Sequence, residues 1–256
     1  MPETIREHRL DLHIDGDSLA MVLATPAAAE LGSLAVLLHG GPGGQKDGPD
    51  RLYSDLARSL GEKGIASLRF DFRGVGESTG EYRDMTITRS VEEYDAVWRF
   101  ARSIGFGHVG VIGESYGATI ALRSEAADPD AVCLLWPAIY FLDVTFAPFV
   151  TEEKLETARR DGFTIEDGVE VGLSFLEEVL EIEDVEPGIR RLAAPTLLIH
   201  GKDDSEVPFR QSESAYALLS EPKKLVLVDG GDHCLARPAE REIVNAEVAA
   251  WFSKHL

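Results

Sequence analysis

The sequence is short of positive charge and of cysteine. Among 256 residues, Lys and Arg number 25 and Asp and Glu number 45, which gives a formal net charge of −20. This surplus of negative charge argues against nucleic acid and anionic membranes as partners. Two cysteines, Cys133 and Cys234, are too few for a disulfide framework or a Cys-rich zinc site.

Long apolar runs are also missing. No window approaches the 18 apolar residues that indicate a membrane-spanning helix. The first ten residues, MPETIREHRL, are charged and lack the apolar stretch of a signal peptide. With 44% apolar and 27% charged residues, the composition is typical of a globular protein. We therefore expect a cytoplasmic protein with one large domain, and the sequence leaves monomer and homodimer open.

Eight short apolar segments predict the strands of one sheet. Residues 8–14 and 18–24 flank Asp15-Gly16-Asp17 and predict an antiparallel hairpin with a tight turn. Six continuous apolar runs are typical of parallel strands covered on both faces: residues 33–39, 65–72, 108–113, 131–136, 195–200 and 224–230. Between or after them lie three helical patterns, at residues 86–103, 208–220 and 238–253. The alternation predicts an α/β fold with a mostly parallel eight-stranded sheet and helices on both faces.

Residues 139–190, called the insertion below, interrupt this alternation without a strand-like run. Between residues 151 and 187, 13 acidic residues stand against 3 basic ones, which is half of the excess charge. Four apolar residues at helical spacing predict an amphipathic helix there: Val169, Leu173, Leu176 and Leu180. Long insertions in compact domains tend to carry function. We therefore predict a core of residues 1–138 and 191–256 and a small helical cap, the insertion, over a pocket.

Two segments match the pattern GxSxG, which can place a serine on a tight turn between a strand and a helix. Ser115, in GESYG (113–117), directly follows an apolar strand and precedes a helical pattern. Ser78, in GESTG (76–80), follows a glycine-rich stretch and precedes a loop-like segment. We therefore predict Ser115 as a nucleophile and Ser78 as a turn residue.

A serine nucleophile needs a base, and the base needs a carboxylate that orients it. Among seven histidines, His233 alone lies in a loop after the last strand, which fits the chain order Ser, Asp, His. The preceding strand is followed by Asp203 and Asp204. Asp204 is the predicted acid because Val-Pro follows it at the spacing HGxxDxxVP, whereas Asp203 is the alternative.

A glycine-rich turn, HGGPGG (39–44), follows the third predicted strand. Backbone N–H groups in such a turn can stabilise the oxyanion that forms during attack on a carbonyl. The predicted donors are the N–H groups of Gly41 and Tyr116. Phosphate binding is disfavoured, because no Lys-Ser/Thr pair follows the glycines as in a P-loop. This chemistry requires neither a metal nor an organic cofactor.

The segments HGGPGG, RFDFRGVGES, GESYG, HGKDDSEVP and GGDHC together resemble the α/β-hydrolase superfamily. SLRFDFRGVGESTGEYRDMTI and GGDHC are most similar to its cinnamoyl/feruloyl esterase-like branch. The resemblance implies a serine carboxylesterase with a small cap whose substrate is a small-molecule ester of the acyl or hydroxycinnamoyl type. It also implies a triad of Ser115, Asp204 and His233, with Gly41 and Tyr116 as the oxyanion hole.

Two alternative functions stay open. HGGPG also resembles the prolyl iminopeptidase family, in which acidic residues of the insertion would hold a substrate α-amino group. A non-catalytic binder on the same fold is the second alternative.

Five aromatic residues near the start of the insertion are candidate walls of an acyl pocket, or simply pack cap against core: Trp136, Tyr140, Phe141, Phe146 and Phe149.

Overall fold

The apolar segments form one mostly parallel sheet. The computed structural model describes residues 5–27, 32–140, 150–166, 168–182 and 184–256. The strands are β1 (Ile5–Ile14), β2 (Asp17–Pro26), β3 (Ser33–Leu38), β4 (Ile65–Phe70), β5 (His108–Glu114), β6 (Val132–Leu135), β7 (Phe163–Glu166), β8 (Val169–Gly172), β9 (Thr196–Gly201) and β10 (Lys223–Val228). The main sheet has the order β1-β2-β4-β3-β5-β6-β9-β10, and β7 pairs with β8 separately. The predicted α/β fold with an eight-stranded sheet is confirmed.

The helices cover both faces of this sheet. They are α1 (Leu52–Gly61), α2 (Ile87–Ser103), α3 (Tyr116–Arg123), α4 (Glu152–Asp161), α5 (Leu173–Glu181), α6 (Glu186–Arg191), α7 (Arg210–Leu218) and α8 (Pro238–His255). Helices α1 and α8 pack on one face, whereas α2, α3, α6 and α7 pack on the other. Within the described ranges, no helix has the length and apolarity needed to cross a membrane.

Strand β3 shows why the sequence reads as a continuous apolar run. Leu34, Val36 and Leu38 belong to the hydrophobic cluster on one face, and Ala35 and Leu37 belong to the cluster on the other. All five side chains are fully buried. Because successive side chains of a strand point to opposite faces, a strand covered on both faces needs apolar residues at every position.

The predicted hairpin lies at the edge of the sheet. Strands β1 and β2 pair antiparallel through a turn at Asp15 and Gly16. Both residues have positive φ, 49° and 93°. This is the conformation that Asp-Gly favours in a two-residue hairpin turn. Strand β2 pairs antiparallel with β4, whereas the remaining neighbours in the sheet pair parallel.

The described part of the insertion differs from the predicted all-helical segment. It contains helices α4, α5 and α6, but β7 and β8 form an antiparallel hairpin between α4 and α5. Val169, which we expected in a helix, lies in β8, whereas Leu173, Leu176 and Leu180 lie in α5. Gly168 between the strands has a φ of 83°, which suits a hairpin turn and breaks the helical periodicity.

Candidate active site

Ser115 lies on a sharp turn between β5 and α3, with φ 47° and ψ −116°. A non-glycine residue rarely adopts this backbone conformation, and such strain is typical of functional sites. Gly113 and Gly117 allow the close approach that the turn requires. A Cβ atom on Gly113 would lie 2.8 Å from the Ala118 backbone, and one on Gly117 would lie 2.2 Å from the Leu38 carbonyl oxygen.

The structure brings Ser115, His233 and Asp204 together from three separate loops. The Nε2 atom of His233 lies 3.1 Å from the Ser115 Oγ atom. Its Nδ1 atom lies 2.8 Å from Oδ2 of Asp204. Because a carboxylate only accepts hydrogen bonds, Nδ1 carries the proton and the neutral ring presents a lone pair at Nε2. This tautomer can accept the hydroxyl proton of Ser115.

The side chain of Asp204 is buried, and both of its carboxylate oxygens accept hydrogen bonds. Its Oδ1 atom accepts from the N–H groups of Glu206 and Val207, each at 2.8 Å. Burial alone would raise the pKa of Asp204, but the hydrogen bonds from His200, His233 and Val207 outweigh it and hold the pKa well below its usual value. Asp204 therefore stays ionised at neutral pH.

The adjacent Asp203 does not take this place. Its side chain is exposed, and its backbone N–H donates to the carbonyl oxygen of Gly231. Of the two aspartates left open by the sequence, Asp204 is therefore the one whose carboxylate is hydrogen-bonded to His233.

His233 is largely shielded from solvent, and its ring packs edge-on against Trp136 at a centroid distance of 6.3 Å. Burial lowers the pKa of His233, but the hydrogen bond and charge of Asp204 raise it, with further contributions from Glu206 and Glu114. The result is a pKa above the usual histidine value. Below that pKa the ring is doubly protonated and cannot accept a proton from Ser115.

Gly41 and Tyr116, the residues whose N–H groups are the predicted oxyanion donors, lie close together. Tyr116 is the first residue of α3, where backbone N–H groups have no acceptor within the helix. A Cβ atom on Gly41 would lie 3.6 Å from the Tyr116 ring. The loop that carries Gly41 is held by Gly40, whose N–H donates to Oε1 of Glu114 at 2.8 Å.

Lys46 anchors the other end of this glycine-rich loop, a role that the sequence did not predict. Its ammonium group contacts Asp71 at 2.5 Å and Glu77 at 2.7 Å, and its backbone N–H donates to Asp71 at 2.7 Å. Both Lys46 and Asp71 are buried. The contact joins segments that are 25 residues apart, so local sequence patterns carry no signal for it.

Of the five predicted pocket residues, the structure describes Trp136 and Tyr140. Trp136 is 1% exposed and belongs to the hydrophobic cluster beneath helices α1 and α8, where it supports His233. Tyr140 is half-buried, and its hydroxyl donates to the carboxylate of Glu186 at 2.7 Å. The other three lie outside the described residues: Phe141, Phe146 and Phe149.

Phe175, in helix α5 of the insertion, was not among the predicted pocket residues. Its ring lies 5.9 Å from the Tyr116 ring, between centroids. Glu178, on the same helix, accepts a hydrogen bond from the Thr88 N–H. The insertion therefore packs beside the Tyr116 ring and against the start of α2. The helical spacing of Leu173 and Leu176 marked this helix but did not indicate which of its residues contacts Tyr116.

Ser78 takes the structural role predicted for it. Its hydroxyl donates to the Asp71 carbonyl oxygen at 2.7 Å and accepts from the Ala20 N–H at 2.8 Å. Ser78 therefore connects the loop after β4 to strand β2. The second GxSxG segment of the sequence thus has a packing explanation.

A mostly parallel sheet with a serine on the strand-to-helix turn after β5 defines the α/β-hydrolase class. The sequence profile of the Alpha/beta hydrolase family matches residues 35–246, so the chain belongs to this family. Among relatives, it is 27% identical to YfhR of Escherichia coli K12 over 179 residues, which cover 70% of this chain and 56% of YfhR. It is 28% identical to 2,6-dihydropseudooxynicotine hydrolase of Paenarthrobacter nicotinovorans over 183 residues, which cover 68% and 46% of the two chains. The chain spans about half the length of these curated relatives.

Solved structures share the whole fold. Est1E from Butyrivibrio proteoclasticus, with ferulic acid bound, has a TM-score of 0.79 and 23% identity, and the match covers 96% of this chain and 98% of Est1E. The esterase domain of a Rhodothermus marinus protein has a TM-score of 0.68 and 19% identity, covering 98% and 99%. At these identities the likeness concerns the fold, and family membership supports a hydrolase function.

Proposed function

We propose that the protein is a serine carboxylesterase that hydrolyses acyl or hydroxycinnamoyl-type esters through an acyl-enzyme on Ser115. The observation that carries the proposal is the pair of contacts from His233, 3.1 Å to Ser115 and 2.8 Å to Asp204. Such a chain of contacts makes a weakly acidic hydroxyl nucleophilic. The ferulic acid bound to Est1E supports testing hydroxycinnamate esters.

The reaction proceeds in two halves. In the first, Nε2 of His233 takes the Ser115 hydroxyl proton as Oγ bonds to the carbonyl carbon, and the N–H groups of Gly41 and Tyr116 stabilise the oxyanion. When the tetrahedral intermediate collapses, the ester C–O bond breaks and His233 gives the proton to the departing alkoxide. Asp204 keeps Nδ1 protonated and stabilises the imidazolium. In the second half, water repeats these steps on the acyl-enzyme and releases the acid.

Fluorophosphonate labelling and p-nitrophenyl acetate hydrolysis test this proposal in the wild-type protein and in Ser115→Ala. We expect labelling of Ser115 and a loss of about a millionfold in kcat on substitution, because residues that act as a unit fail together. Ser78→Ala is the matched control, since it removes the other GxSxG serine, and it should keep labelling at Ser115. A wild-type protein that neither labels nor turns over any ester would instead favour a non-catalytic binder.

One observation favours an aminopeptidase of the prolyl iminopeptidase type as a second candidate. The exposed carboxylate of Glu206 lies 3.7 Å from Nε2 of His233, where it can attract an ammonium group near the scissile bond. A panel of short and long p-nitrophenyl esters, methyl ferulate and a proline amide separates the two functions. A higher kcat/KM for the proline amide than for every ester would replace the esterase proposal.

A further inference from the structure

A second histidine, His200, binds the same carboxylate oxygen as His233. It lies near the end of β9 and is completely buried. Its Nε2 atom is 3.0 Å from Oδ2 of Asp204, the oxygen that also lies 2.8 Å from Nδ1 of His233. Two imidazole rings therefore share one oxygen of the predicted triad acid.

The other neighbours of His200 define its protonation state. Its Nε2 atom also lies 2.9 Å from the Val207 carbonyl oxygen, which can only accept a hydrogen bond. Its Nδ1 atom lies 2.7 Å from the hydroxyl of Ser212 in helix α7, which can donate. A neutral ring protonated at Nε2 satisfies all of these contacts, so the ring needs no charge in this buried position.

The carboxylate of Asp204 consequently accepts hydrogen bonds from four donors. Two are the imidazoles at Oδ2, and two are the N–H groups of Glu206 and Val207 at Oδ1. The backbone donors hold the carboxylate from one side only. The hydrogen bond from His200 fixes Oδ2, which is the oxygen that orients His233, and it competes with His233 for that oxygen.

We propose that His200 is a positioning residue that acts through Asp204, fixing the oxygen that orients His233 and setting the pH range in which His233 serves as a base. This inference rests on the proposed serine hydrolysis. Without the His200 donor, Oδ2 accepts more strongly from His233 and stabilises its protonated form. The carboxylate also gains freedom to move, and displacements of about 1 Å in such a site can cost about a hundredfold in rate.

Two amide substitutions of His200 test the hydrogen bonds of its two ring nitrogens separately. The amide of His200→Gln reaches about as far as Nε2 and can donate to Asp204. The amide of His200→Asn reaches only as far as Nδ1, so it keeps the contact with Ser212 and loses the one with Asp204. Both replacements are polar and smaller than histidine, which makes them a matched pair in the same buried space.

The test measures kcat and KM for p-nitrophenyl acetate between pH 5 and pH 9, with urea denaturation of each protein. For His200→Asn we expect kcat to fall about 10- to 100-fold with little change in KM. We also expect the acidic limb of its kcat/KM profile to move to higher pH. His200→Gln should stay close to the wild type in both respects. The charged groups that act on His233 are Asp204, Glu206 and Glu114, and both substitutions leave all three carboxylates in place.

Equal rate losses in the two variants with an unmoved acidic limb would show that His200 only fills space, and the proposal would be overturned. If neither variant folds, the ¹⁵N NMR spectrum of the wild-type imidazoles tests the proposal through the tautomer of His200. His200 must be protonated at Nε2 and unprotonated at Nδ1, and the reverse tautomer overturns the proposal.

The same assays distinguish failure of this inference from failure of the proposed function. If the wild-type protein neither hydrolyses an ester nor is labelled at Ser115, the proposed serine hydrolase function is wrong. If the wild type turns over, Ser115→Ala does not, and the Asn and Gln variants of His200 behave alike, only the role of His200 is wrong.

Discussion

Glu114 accepts a hydrogen bond from the Gly40 N–H at 2.8 Å, so the residue before Ser115 is joined to the loop of the candidate oxyanion hole. Its second carboxylate oxygen, Oε2, is buried without a hydrogen-bond partner among the residues that the structure describes. Burial raises the pKa of Glu114 to about 7, and the Gly40 hydrogen bond opposes this only in part. Ionisation of Glu114 therefore costs folding free energy at alkaline pH.

We expect Glu114→Gln to gain stability relative to the wild type as the pH rises. In the unfolded chain this carboxyl ionises near the ordinary glutamate pKa of 4.5, whereas burial in the folded protein raises its pKa to about 7. The penalty therefore grows between these values and reaches about 3 kcal/mol above pH 7. Urea denaturation of both proteins at pH 4 and pH 8.5 measures the difference in their free energies of unfolding. A stability difference that is the same at both pH values would contradict the assigned pKa.

Lys46→Met should destabilise the fold and weaken catalysis together. The substitution leaves the buried carboxylate of Asp71 without its partner ammonium, which costs about 3–5 kcal/mol. It also frees the loop that carries Gly41, so kcat should fall more than KM changes. Arg58→Met is the control, because Arg58 and Asp55 form an exposed pair whose loss costs about 0–1 kcal/mol. Urea denaturation and steady-state kinetics report the two effects.

Glu206→Gln should move the acidic limb of the kcat/KM profile to lower pH. Glu206 is one of the carboxylates that raise the pKa of His233, so its neutralisation makes the imidazolium easier to deprotonate. Asp203→Asn removes the same charge from an exposed position nearby, whereas the Glu206 carboxylate lies 3.7 Å from Nε2 of His233. Profiles measured at low salt should move for the first variant only. Equal movement in both would indicate a general effect of net charge.

Phe175→Ala should reduce the preference for long or aromatic acyl groups. The ring of Phe175 lies 5.9 Å from that of Tyr116, so its removal takes apolar surface from beside a residue whose N–H is a proposed oxyanion donor. We expect KM for p-nitrophenyl octanoate to rise about tenfold while the value for the acetate changes little. Phe163→Ala is the control, because Phe163 lies in the same insertion but packs against Arg83. The same rise for the octanoate in both variants would contradict a specific role.

The sequence predicted the fold well because its parallel strands are covered on both faces and read as continuous apolar runs. Strand-to-helix context also distinguished Ser115 from Ser78, and the order of the loops placed Asp204 and His233 near Ser115. Strands β7 and β8 lie where the sequence predicted only helix, because alternating and helical patterns are hard to distinguish over such short segments. The contacts of His200 with Asp204, and of Lys46 with Asp71, depend on side-chain directions that no local pattern encodes.

The position of the insertion along the sheet has a consequence for how this protein can diversify. The insertion leaves the sheet after β6, which lies between β5, the strand before Ser115, and β9, the strand before Asp204. Phe175 of the insertion thus lies beside Tyr116, while Ser115, Asp204 and His233 stay on loops that the insertion does not interrupt. We therefore expect that exchange of this one segment with that of another family member changes substrate selectivity and leaves the proposed chemistry unchanged.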